Sequence, residues 1–226
     1  MIFTCLDRII QAVQRSDKMY RDSRFVYCYD WKDFRGNLLR AARDSQSIGQ
    51  LIGRQLAAEE RILDLHVVGI SVGAFAADGC VKEFSRLRKA ESRPSLRKLN
   101  QVGGIGGKKS FRSRLTLLDP FTSRGIFGSG YGMRFFGTEA DFCEQYMNTD
   151  DPVPSTNSPL PLAHVYDVTS SRQRESFVPC PGDSMHSWPA AFFGLNWADK
   201  IDPRKNNPFF KPCHTDRPRG KLTKVD

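Results

Sequence analysis

Three residue types in this chain could together move an acyl group: a serine set between two glycines, a histidine well downstream, and an aspartate between them in sequence order. Gly69-Ile-Ser-Val-Gly73 follows a short β-branched apolar run (Leu65, Val67, Val68) and opens an Ala-rich stretch, so it reads as strand, sharp turn, helix. In such a turn Ser71 is expected in a strained backbone conformation, its hydroxyl presented above the sheet edge. Gly69 and Gly73 leave room for strand and helix to cross closely. A serine idling in a glycine-rich loop gives the same five letters by chance. The strand before and the helix after are what set this occurrence apart.

A serine hydroxyl is a poor nucleophile until a base removes its proton, and the base must be oriented by a third group, usually a buried carboxylate. Of the four histidines, His66 precedes Ser71 in the same strand, His164 falls in a predicted strand, and His214 lies in a polar tail. His186 occupies a loop after the last predicted strand and is the candidate base. Asp119, Asp150 and Asp151 each follow a predicted strand, and an Asp before Pro is also an ordinary turn former. Asp151-Pro-Val-Pro154 is favoured because it follows the later strand and its prolines fix its direction. The order Ser71, Asp151, His186 suits three groups on loops at the carboxyl ends of a doubly wound sheet, with the Val72 N–H as an oxyanion donor.

The elements that must hold these groups alternate. Ile2, Phe3, Leu6, Ile9, Ile10 and Val13 define one face of a first helix. Phe25-Val-Tyr-Cys-Tyr29 reads as a buried strand, and Asn37 caps a long helix in which Leu38, Ala41, Ala42, Ile48, Ile52 and Leu56 recur every three or four residues. The Ser71 strand follows, then strands at Leu115–Leu118, Cys143–Met147 and His164–Val168. The rhythm predicts an α/β fold with a doubly wound, mostly parallel sheet. One domain is expected over 1–201, with an irregular tail over 202–226. Gly125, Gly128, Gly130 and Gly132 punctuate an aromatic loop (Phe127, Tyr131, Phe135, Phe136) expected to be mobile.

The chain has 226 residues, 39% hydrophobic content and a net charge of +9. That charge is local: residues 82–114 hold eleven Lys/Arg and two Asp/Glu, while the rest carries 23 of each sign. The segment is expected to be a flexible insertion, able to dock on an anionic membrane surface or an acidic partner. The balanced remainder argues against nucleic acid. Gly103-Gly-Ile-Gly-Gly-Lys-Lys-Ser110 falls short of a phosphate-binding loop, because Lys108 stands where the pattern needs its last glycine. Six scattered cysteines suggest neither a zinc site nor a disulfide framework, and no metal or organic cofactor is expected. With no signal peptide and no membrane span in the chain as given, a cytoplasmic location is expected.

Tyr29-Asp-Trp31, the long helix with Ala41-Ala-Arg through Leu56-Ala, and Val67-Val-Gly-Ile-Ser-Val-Gly-Ala74 together resemble the central stretch of pancreatic-type animal lipases. Leu117-Leu-Asp-Pro120 is similar to the strand carrying that family's catalytic aspartate, whereas Thr149-Asp-Asp-Pro-Val-Pro154 resembles the fungal triglyceride lipases. The likeness covers about residues 25–80 and 115–190 and implies an α/β-hydrolase that cleaves carboxylic esters, of lipids above all. Ser71 would be the nucleophile, His186 the base, and the acid Asp151 by the fungal pattern or Asp119 by the pancreatic one. Ile70 stands where many lipases have a histidine. The chain begins at a helix, so the early strands and the loop giving the second oxyanion donor are expected to be missing. A hydrolase-like scaffold without catalysis is the rival expectation.

Overall fold

The computed structural model describes residues 27–29, 37–92, 111–125, 128–179, 184–200 and 218–226. Five strands of the described residues form one sheet in chain order: β1 (Asp64–Ile70), β2 (Arg112–Leu118), β3 (Phe142–Met147), β4 (His164–Asp167) and β5 (Leu222–Lys224). Every pairing is parallel. Among the described residues four α-helices accompany them: α1 (Leu38–Ala57), α2 (Ala74–Ser92), α3 (Tyr131–Phe135) and α4 (Trp188–Lys200).

A parallel strand needs a crossover, and the crossovers bury both faces of the sheet. Strand periodicity sorts the side chains accordingly. Leu115, Leu117, Cys143, Met147 and Val165 point to one side, where Phe75, Ala77 and Val81 of α2 meet them. Val68, Ile70, Leu118, Tyr146 and Tyr166 point to the other, where Trp188, Phe192 and Phe193 of α4 cover them. The α/β fold with a parallel sheet expected from the sequence is therefore present, and its strands follow one another across the sheet in chain order.

α1 starts where Asn37 caps it, its side chain accepting from the Arg40 N–H at 3.0 Å. It packs along α2 through small residues. A methyl added at Gly49 would overlap the Ala76 carbonyl, and one at Gly79 would sit 2.6 Å from the Gln46 carbonyl oxygen, so the two backbones approach too closely for larger residues. α2 thus lies between α1 and the sheet, held on both sides.

Four expectations need revision, and others fall outside the described residues. Tyr27 and Tyr29 are exposed and not in a strand, so the apolar run there does not mark a buried one. The basic segment is regular at both ends: Lys82–Ser92 continues α2 with Phe84 and Arg88 buried, and Arg112–Arg114 belongs to β2; residues 93–110 lie outside the description. The tail expected to be irregular supplies β5, which pairs with β4. The aromatic glycine loop packs down: Phe136 is buried against Phe75, and Arg124 lies 4.1 Å above the Tyr131 ring while bonding Gln46. The first helix, His214 and Phe127 are outside the described residues.

Candidate functional site

Ser71 is the first residue past β1 and opens a single 3-10 turn, Ser71–Gly73, that runs directly into α2. Its φ is +52°, a region that L-residues with a Cβ occupy only under constraint. Gly69 explains how the turn closes. A methyl there would meet the Ala77 Cβ at 2.7 Å and the Ala74 Cα at 2.9 Å, so only glycine lets α2 start this close to β1. Val72 follows in the first turn, where backbone N–H groups have no carbonyl one turn earlier to bond.

Parallel strands all end on the same edge, and that edge gathers the other candidates. Asp119 is the first residue past β2, Asp151 lies in the loop after β3, and His186 lies in the connection after β4. His186 sits in a short 3-10 turn, Met185–Ser187, capped by Ser184, whose side chain accepts from the His186 N–H at 3.2 Å. The turn is pinned from below, because Asn148 Nδ2 donates to the Met185 carbonyl at 3.1 Å and Trp188 Nε1 donates to the Val168 carbonyl at 2.7 Å.

The imidazole faces two carboxyl groups. His186 Nδ1 is 2.5 Å from Asp151 Oδ2 and 3.2 Å from Asp119 Oδ2. Asp151 is built into its loop: Oδ1 accepts from the Val153 N–H at 3.0 Å and Oδ2 from the Thr156 hydroxyl at 2.9 Å, while its carbonyl accepts from Asn157 Nδ2 at 2.8 Å. Asp119 is wholly buried, and its Oδ1 accepts from the Asn148 N–H at 3.0 Å. Of the acids weighed from the sequence, Asp150 alone points away. It pairs with Arg174 at 2.7 Å, beside an open polar cleft that also takes in Thr169 and Met185.

Burial and neighbours push the two acids apart. Burial raises Asp119 to about 7, against the hydrogen bond from His186, and the adjoining Asp151 carboxyl adds to the rise. Burial also acts to raise Asp151. The Val153 N–H, the Asp119 carboxyl, the His186 charge and the Thr156 hydroxyl together outweigh it and hold Asp151 below the usual carboxylate range. For His186 burial works against the charged ring, but the hydrogen bond and charge of Asp119, followed by those of Asp151, hold it above the ordinary histidine value.

Asp119, Asp151 and His186 are also the described residues whose donor atoms lie close enough to share an ion. Two ligands at about 2.0–2.2 Å from one metal stand roughly 3 Å or more apart, so the 2.5 Å approach of Nδ1 to Asp151 has the geometry of a hydrogen bond. His186 Nε2 is buried and has no partner among the described residues. With Nδ1–H given to a carboxylate, Nε2 carries the lone pair and can accept a proton.

The remaining described histidines serve the sheet. His66 Nε2 bonds Thr116 Oγ1 at 2.8 Å, and burial holds its pKa well below the ordinary value. His164 is buried in β4 with its ring stacked on Phe142. Cys80 and Cys143 are buried thiols pushed upward by desolvation, Cys80 to about 12.

In the sequence Asp119 and Asp151 stand as alternatives, whereas the structure brings both to one nitrogen. No five-residue signal foretells that, since it follows from β2 and β3 pairing in register. Nothing in the sequence marks Thr156, Asn148 and Asn157, which hold the loop, beyond their closeness in the chain to Asp151.

No protein-family model, curated protein or solved structure matches the chain. The class that fold and site define is thus an α/β protein with an all-parallel five-stranded sheet among its described residues. Its carboxyl edge carries a strained serine, a histidine and two acids. None of its described helices is long and apolar enough to cross a membrane.

Proposed function

We propose that the protein is a serine carboxylic ester hydrolase of the α/β-hydrolase type, acting through Ser71, His186 and Asp151, with lipid esters as its substrate class. The observation that carries this reading is the positive φ of Ser71 in a strand–helix turn on the sheet edge where His186 is held by a buried acid.

In this reading Ser71 Oγ attacks the acyl carbon while its proton passes to His186 Nε2, and the carbonyl π pair moves onto oxygen. The Val72 N–H is the donor this reading assigns to that oxyanion. Collapse of the intermediate expels the alcohol, which takes the proton from Nε2 and leaves Ser71 acylated. Water then attacks the acyl-enzyme, Nε2 again accepts and returns a proton, and the carboxylic acid departs with Ser71 restored. Asp151 keeps the proton on Nδ1 and stabilises the imidazolium. Among the described residues no hydrogen bond joins Ser71 to His186; such bonds are often long until substrate is bound. The lipid preference rests on the resemblance of the motifs.

The test is hydrolysis of p-nitrophenyl esters by wild type and Ser71→Ala, with labelling by a fluorophosphonate probe. Serine-dependent turnover and labelling support the reading. Equal rates in both proteins, or no labelling of wild type, remove it and leave the non-catalytic scaffold.

A further inference from the structure

We infer that Asp119 is a positioning residue for His186, acting with Asp151 as a two-carboxyl clamp on the Nδ1 edge of the imidazole. The inference deepens the hydrolase reading and rests on it for its kinetic arm alone.

The clamp has two independent anchors. Asp151 reaches Nδ1 from the loop after β3, fixed by Val153, Thr156 and Asn157. Asp119 reaches it from the end of β2, fixed by the Asn148 N–H and by its own backbone N–H, which donates to the Tyr146 carbonyl at 2.8 Å. An ordinary Asp-Pro turn former would bond its own loop and face solvent. Asp119 instead is wholly buried, has a φ of +45°, and aims Oδ2 at the ring. A buried residue with a Cβ held at positive φ needs a compensating role, and contact with His186 supplies one.

Two buried carboxylates beside one N–H cannot both ionise freely, so the pair holds a proton between them. The charge stays on Asp151, which has the shorter contact to Nδ1 and donors on both oxygens. The proton stays on Asp119, whose surroundings raise it. Nδ1–H therefore donates chiefly to Asp151, while the Asp119 carboxyl closes the second side of the ring. When Asp119 ionises, its charge adds to the field that keeps His186 protonated. Among the described residues, the charged or titratable groups facing His186 from the packed elements are these two acids.

The test follows His186 by its imidazole NMR signals through a pH titration in wild type, Asp119→Asn and Asp119→Ala. Both substitutions remove the ionisable group, so the His186 titration should move to lower pH in each. Ala, which leaves the second side of the ring open, should lower turnover more than Asn, which fills it, so partial rescue by Asn is expected. His186 curves that coincide with wild type in both variants overturn the clamp, whether or not the protein hydrolyses esters. A shifted titration without any hydrolysis keeps the clamp and removes the hydrolase reading. Should the Ala variant fail to fold, the titration of the Asn variant decides alone.

Discussion

Ser71 and Asp119 occupy equivalent places on neighbouring strands. Ile70 is level with Leu118 in the parallel register, each of the two residues is the next one along, and each has positive φ, +52° and +45°. The loops are tied as well, because the Phe121 N–H donates to the Ser71 carbonyl at 3.1 Å. Strain stored twice on one sheet edge marks that edge as the place where the fold gives up stability for geometry.

Ser71→Gly tests that trade. Glycine enters the positive-φ region freely, so this variant should gain about 0.5–1 kcal/mol in unfolding free energy while losing the hydroxyl. Ser71→Ala should keep the strain and gain nothing. Both should lower ester turnover by at least about 10³-fold. Thermal denaturation beside p-nitrophenyl ester kinetics checks the pair; a Gly variant no more stable than Ala would mean that the turn is not strained.

Asp151 and Asp150 are neighbours with different surroundings, so their amide variants should separate sharply. Asp151→Asn is expected to lower kcat by about 10⁴-fold, since an amide on Nδ1 favours the wrong tautomer. Asp150→Asn removes a half-exposed pair with Arg174, worth no more than about 1 kcal/mol of stability, and should leave turnover near wild type. Kinetics of the two single variants decide; a comparable loss from Asp150→Asn would contradict the placement of the acid.

What the chain disclosed in advance was the part governed by local rules. Asn37 capping α1, the apolar Leu115-Thr-Leu-Leu118 run of β2, and the strand–turn–helix setting of the glycine-flanked Ser71 are each decided within a few residues, and each is where the sequence puts it. Failures came where distant pairing decides. Lys221-Leu-Thr-Lys224 has too few apolar residues to announce a strand, and β5 exists because β4 offers it an edge. Phe25-Val-Tyr-Cys-Tyr29 has the right composition, yet Tyr27 and Tyr29 are left in solvent. Asp119 and Asp151 looked like rivals because order along the chain has one slot for an acid, while the register of β2 with β3 provides two.

The stability contributed by Asp119 should fall as pH rises through neutrality. Asp119 is raised to about 7 in the fold from its ordinary 3.8, so the native state holds a proton that the unfolded chain releases. That contribution is complete below about 3.8 and is lost as pH climbs through about 7. His186, raised above 6.5, acts in the same sense: its contribution is present below about 6.5 and lost as pH rises through its folded value. Denaturant unfolding of wild type and Asp119→Asn between about pH 4 and about pH 8 isolates the effect, because His66, held low, acts in the opposite sense in both: the stability of wild type relative to the variant should fall as pH rises to about 7. A difference that stays constant or grows over this range would contradict the protonation assigned to the pair.

Gly69 and Gly49 probe two close approaches of α2, only one of which concerns the site. Gly69→Ala drives a methyl into Ala77 and Ala74, and should cost about 1–3 kcal/mol while displacing Ser71 and lowering turnover in the molecules that remain folded. Gly49→Ala presses α1 off the far side of α2 and should cost stability by the same mechanism with kcat retained. Melting temperature and active-site-normalised kcat distinguish them. Equal kcat losses would show that the turn is not positioned by the β1–α2 crossing.

Val225 joins the tail to the site. It is buried with Trp188 and Tyr166, and its N–H donates to the Asp167 carbonyl at 2.9 Å, so β5 helps seat the helix that begins two residues after His186. Leu222, on the same segment, is exposed. Val225→Asp buries a charge without a partner and should cost more than about 2 kcal/mol, whereas Leu222→Asp should stay within about 0.5 kcal/mol. At a temperature where both remain folded, Val225→Asp alone should also lower turnover, because the Met185–Ser187 turn loses its backing. Chemical denaturation and ester kinetics on the two variants make the comparison, and equal effects would mean that β5 is an appendage with no part in holding His186.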